Sequence, residues 1–219
     1  MKTLYLFRTA PNPRKVICLM KAKGLTADAV HDITVKNYEI SEGQHLTEAF
    51  TSVNPLQLLP VLVLEDGTVL NDSQAVCEYL DRVYGERSIM GNDIVHRAKV
   101  CAVRRTAEFE IMYNFMLAFQ HGHPSKAHRV DQVSQFAPKS IQRAVNALPY
   151  FEKILTGHEY LVNDQLSFAD IVLYLGLDFG KVMGVDPRDA NTVGSNIVNF
   201  YERMHAEYSI KACTEGNPI

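Results

Sequence analysis

The hydrophobic pattern changes period at Gly85, and that switch limits the fold of these 219 residues more than any other feature. Ahead of it, short strand-like runs alternate with helical ones; beyond it, only three- and four-residue spacing remains. Residues 4–7 form an apolar run that Pro11 and Pro13 punctuate. In 14–23, Val16, Ile17, Leu19 and Met20 fall at helical spacing, and Gly24 closes the segment. Residues 29–35 alternate as a second strand does, and a weak helical signal follows at 46–50. Residues 60–64 and 68–70 flank Glu65-Asp66-Gly67, the pattern of a β-hairpin. Asn71, Asp72 and Ser73 then offer N-caps to a helix carrying Ala75, Val76, Tyr79, Leu80 and Val83. The expected chain is α+β: β-α-β-α-β-β-α over residues 1–85, a linker at 86–92, and an all-helical unit over 93–219.

In the second part Ala98, Cys101, Ala102, Phe109, Met112, Met116 and Phe119 form one long stripe, which predicts the buried face of a helix. The polar stretch 120–129 breaks it. A second amphipathic run carries Ile141, Val145, Leu148, Phe151 and Leu155, with Pro149 inside it, where a kink is expected. Residues 168–182 are apolar on nearly every side, the mark of a helix in the middle of its domain. Ser167-Phe168-Ala169-Asp170 at its start has capping-box spacing. A last helix is expected at 193–206.

Lys plus Arg number 22 and Asp plus Glu 25, a net charge of −3. A chain so near neutrality has no cationic excess to neutralise phosphates, so nucleic acid is not an expected partner. No apolar run approaches the ~20 residues of a membrane span, and the N-terminus lacks the apolar length of a signal peptide. A soluble, cytoplasmic protein is expected, without a membrane partner. Cys18, Cys77, Cys101 and Cys213 are far apart, with no C-x-x-C. The first three are expected as small buried hydrophobes and Cys213 as exposed, without a structural disulfide framework. His121 and His123, with His128 nearby, have no carboxylate or thiolate partner at ligand spacing, so no metal is expected.

The run Asn54-Pro55-Leu56-Gln57-Leu58-Leu59-Pro60-Val61-Leu62 is followed by Glu65-Asp66-Gly67-Thr68, then by Leu70-Asn71-Asp72-Ser73 and Tyr79-Leu80. This pattern resembles the N-terminal domain of glutathione S-transferases. Leu166-Ser167-Phe168-Ala169-Asp170-Ile171 resembles the capped central helix of that family's C-terminal domain. The matches run in order over residues 3–205. The resemblance implies a thioredoxin-like fold for 1–85 and a helical bundle for 93–219. It implies a cis bond before Pro60, which turns the Leu59 N–H and C=O toward the cysteinyl backbone of glutathione. It also implies that Ser73 holds the γ-glutamyl carboxylate, with Asp72 near the ammonium. By residue type alone, Asp72 and Ser73 fit either simple N-capping or an anion site at a helix start. His45, by the same resemblance, meets the glycine carboxylate; by its residue type it reads equally as a solvated loop histidine. Leu58 departs from the Gln or Lys common in the family.

Family members activate the glutathione thiol with a Tyr, Ser or Cys between the first strand and first helix. Here Tyr5 lies too early, within the strand, and residues 7–13 hold neither Ser nor Cys. Thr9 falls on the first Ser of the zeta-class pattern. Asn12 falls on the variable polar residue of bacterial and fungal relatives that work without a conventional catalytic side chain. Donors at a helix N-terminus lower a thiol pKa, and Asn12 with the amides of Arg14 and Lys15 would supply them. The alternative is that Asn12 only caps the helix. The implied function is a homodimeric, detoxifying transferase that conjugates glutathione, its co-substrate, to a hydrophobic electrophile held against Tyr113, Met116 and His121. Two other readings stay open: a glutathione-dependent disulfide or peroxide reductase, and a non-catalytic transferase-like binding protein. The lack of Cys in 7–13 argues against thiol-transferase chemistry, which needs a protein thiolate.

Overall fold

The computed structural model describes residues 1–26 and 30–215, which group into two units: 1–88 with 208–215, and 89–207. The first unit runs β1 (Lys2–Leu6), α1 (Pro11–Ala22), β2 (Ile33–Asn37), α2 (Glu48–Thr51), β3 (Val61–Val63), β4 (Val69–Asn71) and α3 (Ser73–Val83). Its sheet has the order β2-β1-β3-β4. The β1–β2 pair is parallel and the other two pairs are antiparallel, the thioredoxin-like arrangement. A parallel pair needs a crossover, and α1 supplies it. Leu4 and Leu6 of the central β1 are fully buried, as are Val16 and Leu19 of α1 and Val76 and Leu80 of α3. At the hairpin turn, Asp66 Oδ1 accepts the Thr68 N–H at 2.9 Å, and Gly67 supplies the left-handed residue with φ +85°.

Two boundaries move. The second strand begins at Ile33 rather than 29, and Ala29 lies outside the described residues. Helix α1 begins at Pro11, three residues before its apolar periodicity, because a proline in the first turn loses no helical hydrogen bond. A short α10 (Ile210–Thr214), which the sequence pattern does not announce, packs on α1. Two of the α1 cations tie it down: Arg14 donates to the Tyr208 carbonyl at 3.3 Å and Lys21 to that of Ala212 at 2.7 Å. Residues 208–215 therefore group with the first unit, although the sequence pattern assigns them to the helical one. Cys213, expected exposed, is half-buried in this contact, whereas Cys101, expected buried, is exposed.

The second unit contains α4 (Ile94–Thr106), α5 (Tyr113–Gly122), α6 (Phe136–Ile154), α7 (Phe168–Gly180), α8 (Ala190–Val193) and α9 (Ser195–Tyr208). A π-helical segment, Ala107–Met112, joins α4 to α5. Asn114 donates to the carbonyls of Phe109 at 2.7 Å and Glu110 at 3.0 Å, occupying acceptors that the wider turn releases. The buried row is Val100, Arg104, Ala107, Ile111, Phe115 and Ala118; of the expected core stripe Met112 is buried, Met116 and Phe119 are half-buried, and Ala98, Cys101, Ala102 and Phe109 are exposed. Helix α7 is the apolar centre, approached closely by α5: a Cβ on Gly180 would lie 2.8 Å from the Phe115 ring. Pro149 sits inside α6 without ending it.

The expected capping box closes at the start of α7. Asp170, fully buried, accepts from the N–H of Leu161 (2.8 Å), the N–H of Ser167 (2.8 Å) and the Ser167 hydroxyl (2.7 Å). Burial pushes its pKa up to about 6 in spite of those three donors. No helix among the described residues is long and apolar enough to cross a membrane.

Candidate functional site

The sheet register brings three loop segments to one end of the first unit. Tyr5, near the end of β1, pairs with Val61, the first residue of β3, and Val61 pairs with Asn71, the last of β4. The segments after β1 (7–12), before β3 (54–60) and after β4 (72–73) therefore leave the sheet at the same edge. These segments carry Thr9, Asn12, Leu59, Pro60, Asp72 and Ser73. They are the residues that the motifs single out, apart from His45 and the three on α5.

The Leu59–Pro60 peptide is cis. Pro60 is buried and the ladder starts only at Val61, so Leu59 stands outside it. Asn54, 1% exposed, organises the approach. Its Nδ2 donates to the Leu58 carbonyl at 2.9 Å, and its Oδ1 accepts the Leu56 N–H and the Asn71 Nδ2, both at 3.2 Å. One side chain thus links the loop before Pro60 to the residue preceding Asp72. The sequence signal for this turn-holding role is an Asn followed by Pro inside a loop. Leu58 projects into solvent, 63% exposed.

Asp72 is the N-cap of α3: its Oδ1 accepts the N–H of Gln74 at 2.7 Å and of Ala75 at 3.3 Å. Ser73, buried, is the first helical residue and takes no part in that cap. The capping reading of Asp72 is realised, and the Ser73 hydroxyl is a separate group beside a helix start.

At α1 the donor set differs from the expected one. No side chain caps this helix, so Asn12 is not its cap; the N-cap position is Ala10. Pro11 and Pro13 have no N–H. The amides of Ala10 and Arg14 go to the carbonyls of Phe7 (3.3 Å) and Ala10 (3.1 Å). Because the helix starts early, the Arg14 amide is consumed inside it. The donors that remain at this turn are the Asn12 N–H and side chain, on a half-exposed residue next to exposed Thr9.

His45 sits in a 3₁₀ turn, Gln44–Leu46, of the connector between β2 and α2, outside the three converging segments. At 4% exposed it is not a solvated loop histidine. In the helical unit Tyr113 is half-exposed beside Phe109, ring centroids 6.3 Å apart, with Met116 one turn on. His121 is directed elsewhere: its Nδ1 accepts the Val133 N–H at 3.3 Å and its ring lies 4.9 Å from Phe136. The structure groups Tyr113 with Phe109 and turns His121 to the loop after α5. His123 caps the turn at Pro124–Lys126 through the Ser125 N–H. Among the described residues no cluster of three or more His, Cys, Asp or Glu forms.

A thioredoxin-like sheet with a cis-Pro edge and a capped helix start, followed by a helical unit built on a capping-box helix, defines a class that comparison identifies. The N-terminal domain model of glutathione S-transferases matches residues 9–83, and the C-terminal domain model matches 123–215. Glutathione S-transferase 1 of Dianthus caryophyllus is 30% identical over 172 residues, 78% of this chain and 73% of that protein. A glutathione S-transferase domain-containing protein of Marinobacter aquaeolei superposes with TM-score 0.82 at 28% identity, covering 95% of this chain and 99% of that one. A glutathione S-transferase of Methylobacillus flagellatus, solved with glutathione bound, has TM-score 0.78 at 22% identity and full coverage of both chains. This chain belongs to the glutathione S-transferase family.

Proposed function

We propose that the protein conjugates the glutathione thiolate to hydrophobic electrophiles. The observation that carries this reading is the convergence of the Leu59–Pro60 step, the Asp72–Ser73 helix start and the Asn12 donors at one sheet edge. In this reading Leu59 pairs with the cysteinyl backbone of glutathione. The Ser73 hydroxyl donates to the γ-glutamyl carboxylate, while the Asp72 carboxylate, still holding its helix, faces the ammonium. His45 takes the glycine carboxylate. The sulfur lies at the start of α1, where Asn12 donates to it and Thr9 supports it. Neutral donors and a helix terminus lower a thiol pKa less than a cationic partner would. The thiolate then attacks the electrophilic carbon, forming a C–S bond as the leaving group departs or the π-bond electrons shift to their acceptor. Tyr113 and Met116 are assigned to the electrophile, and His121, turned to the loop after α5, is not.

The experiment is an assay of the purified protein with glutathione and a halogenated nitroaromatic. Conjugate formation supports the proposal. Reduction of a small disulfide or peroxide without conjugation would move the protein to the reductase reading, and stabilisation by glutathione without either activity to a binding role. We also propose that the working form is a homodimer. An exposed apolar row on α4 (Ile94, Val95, Ala98, Cys101) supports it. Sedimentation of Val95→Asp as a monomer, against a dimeric parent, is the expected result.

A further inference from the structure

Outside the proposed site, the first unit holds two thiols in one small cavity. Cys18 on α1 and Cys213 on α10 both line it, together with Arg14, Ile17, Ile210 and Thr214. They come from positions 195 residues apart in sequence and meet because α10 docks on α1 through Arg14, Lys21 and the carbonyls of Tyr208 and Ala212. Cys18, 1% exposed, has its Sγ 3.8 Å from the Tyr208 carbonyl. Cys213 is half-buried and also borders a separate surface cleft of about 130 Å³ beside Lys21, Leu25 and Thr26. One thiol is thus reachable from solvent and the other stands behind it.

We propose that Cys213 and Cys18 form a redox pair that a low-molecular-weight disulfide, of the glutathione disulfide kind, converts into an α1–α10 cross-link. The Cys213 thiolate attacks one sulfur of the small disulfide; a mixed disulfide forms and one small thiolate leaves. The Cys18 thiol then attacks Cys213 Sγ, the intramolecular S–S bond forms, and the second small thiolate leaves with the Cys18 proton. Two protein thiols lose two electrons and one small disulfide gains them. The electrostatics assign the order. The hydrogen bond from Cys18, with Lys21 and Arg14 adding positive charge, holds the Cys213 thiol below its ordinary pKa. The same hydrogen bond and burial raise Cys18. The more acidic, more accessible sulfur is therefore the attacking one. The cross-link would pin α10 to the helix whose start carries Asn12, so its reduction frees α10 without touching the sheet.

The test exposes the reduced full-length protein to glutathione disulfide and reads intact mass and cysteine-linked peptides. The expected wild-type product is lighter by two hydrogens, with Cys18 joined to Cys213. Cys18→Ala should stop at the mixed stage, one glutathionyl group heavier at Cys213, and Cys213→Ser should leave Cys18 unmodified. Exposed Cys101 can gain its own adduct, which peptide mapping separates. Linkage of Cys18 to Cys77, a mixed disulfide that persists at Cys213 in the wild type, or no reaction at Cys213 while Cys101 reacts would each overturn the proposal. If Cys18→Ala fails to fold, the wild-type peptide map decides alone.

Discussion

Helices α3 and α7 begin with similar chemistry: an oxygen side chain beside the first turn and a carboxylate that collects amide protons. At α7 the carboxylate is fully buried, and its three donors are all protein groups, two of them from the helix start itself. At α3 the carboxylate is exposed and its Oδ1 takes both cap amides, while Ser73 beside it has no part in the cap. A helix start enclosed by its own domain can only hold structure. One that opens at a sheet edge beside Leu59 and Asn12 has groups to spare for a ligand. Capping chemistry is common to both; the surroundings decide what it is for.

The largest expected effect that tests this contrast is Asp170→Ala. It strands the Leu161 and Ser167 N–H groups and a hydroxyl in the core, at about 1–3 kcal/mol each, so the loss should be at least about 3 kcal/mol. Denaturant unfolding should show little or no folded protein. A variant that folds as well as the parent would remove the structural role given to Asp170.

Next is the pH response of the same carboxylate. Its folded pKa, about 6, lies above the ordinary value of 3.8. Between those values the folded chain holds a proton that the unfolded chain has released, so stability falls as pH rises through this window. The full difference is roughly 3 kcal/mol at 1.36 kcal/mol per unit. Asp32 has the opposite sign. The Lys2 ammonium, then the Tyr84 hydroxyl, hold its carboxyl below the usual range, so its contribution is present above the unfolded pKa and fades in acid. Asp32 is 45% exposed, and solvent screening makes its effect the smaller one. Hydrogen exchange at pH 5 and 7 should therefore show α7 better protected at pH 5. Better protection of α7 at pH 7 would contradict the sign.

Asp72→Ala should cost ~0.5–2 kcal/mol of stability, the loss of an exposed cap, visible as a lower denaturant midpoint. The smallest effect is at α1: Asn12→Ala should raise the pKa of bound glutathione's thiol by less than about one unit, since a neutral donor is removed. Thiolate absorbance titration reads it. A larger rise in Thr9→Ala than in Asn12→Ala would transfer the role to Thr9.

The hairpin, the α3 cap and the capping box were legible because each rests on neighbours in sequence: Asp66-Gly67, Asp72-Ser73 and Ser167 with Asp170. The failures are of another kind. The π-helical turn at Ala107–Met112 depends on the packing of Ile111 and Met112 against Gly176, where a Cβ would come within 3.1–3.2 Å of both, and no local pattern marks it. Within α4 the buried row already runs through Val100 and Arg104 rather than Ala98 and Cys101. The return of α10 to α1 depends on pairs such as Lys21 with Ala212, nearly the whole chain apart, so Cys213 could not be read as half-buried. The Arg14 amide is spent inside α1 because Pro11 and Pro13, which by type read as loop punctuation, form the first turn of a helix.

Glutathione titration by calorimetry, comparing the wild type with Ser73→Ala, tests most directly whether the α3 start is a ligand site. The hydroxyl is expected to give one hydrogen bond to a carboxylate, about 1.5–3 kcal/mol, or roughly a ten- to hundredfold change in affinity. Wild-type binding that weakens by that factor in Ser73→Ala, with an unchanged unfolding midpoint in the absence of glutathione, is the predicted result. Equal affinity in the two proteins would contradict it, and Ser73 would be left with a structural role only.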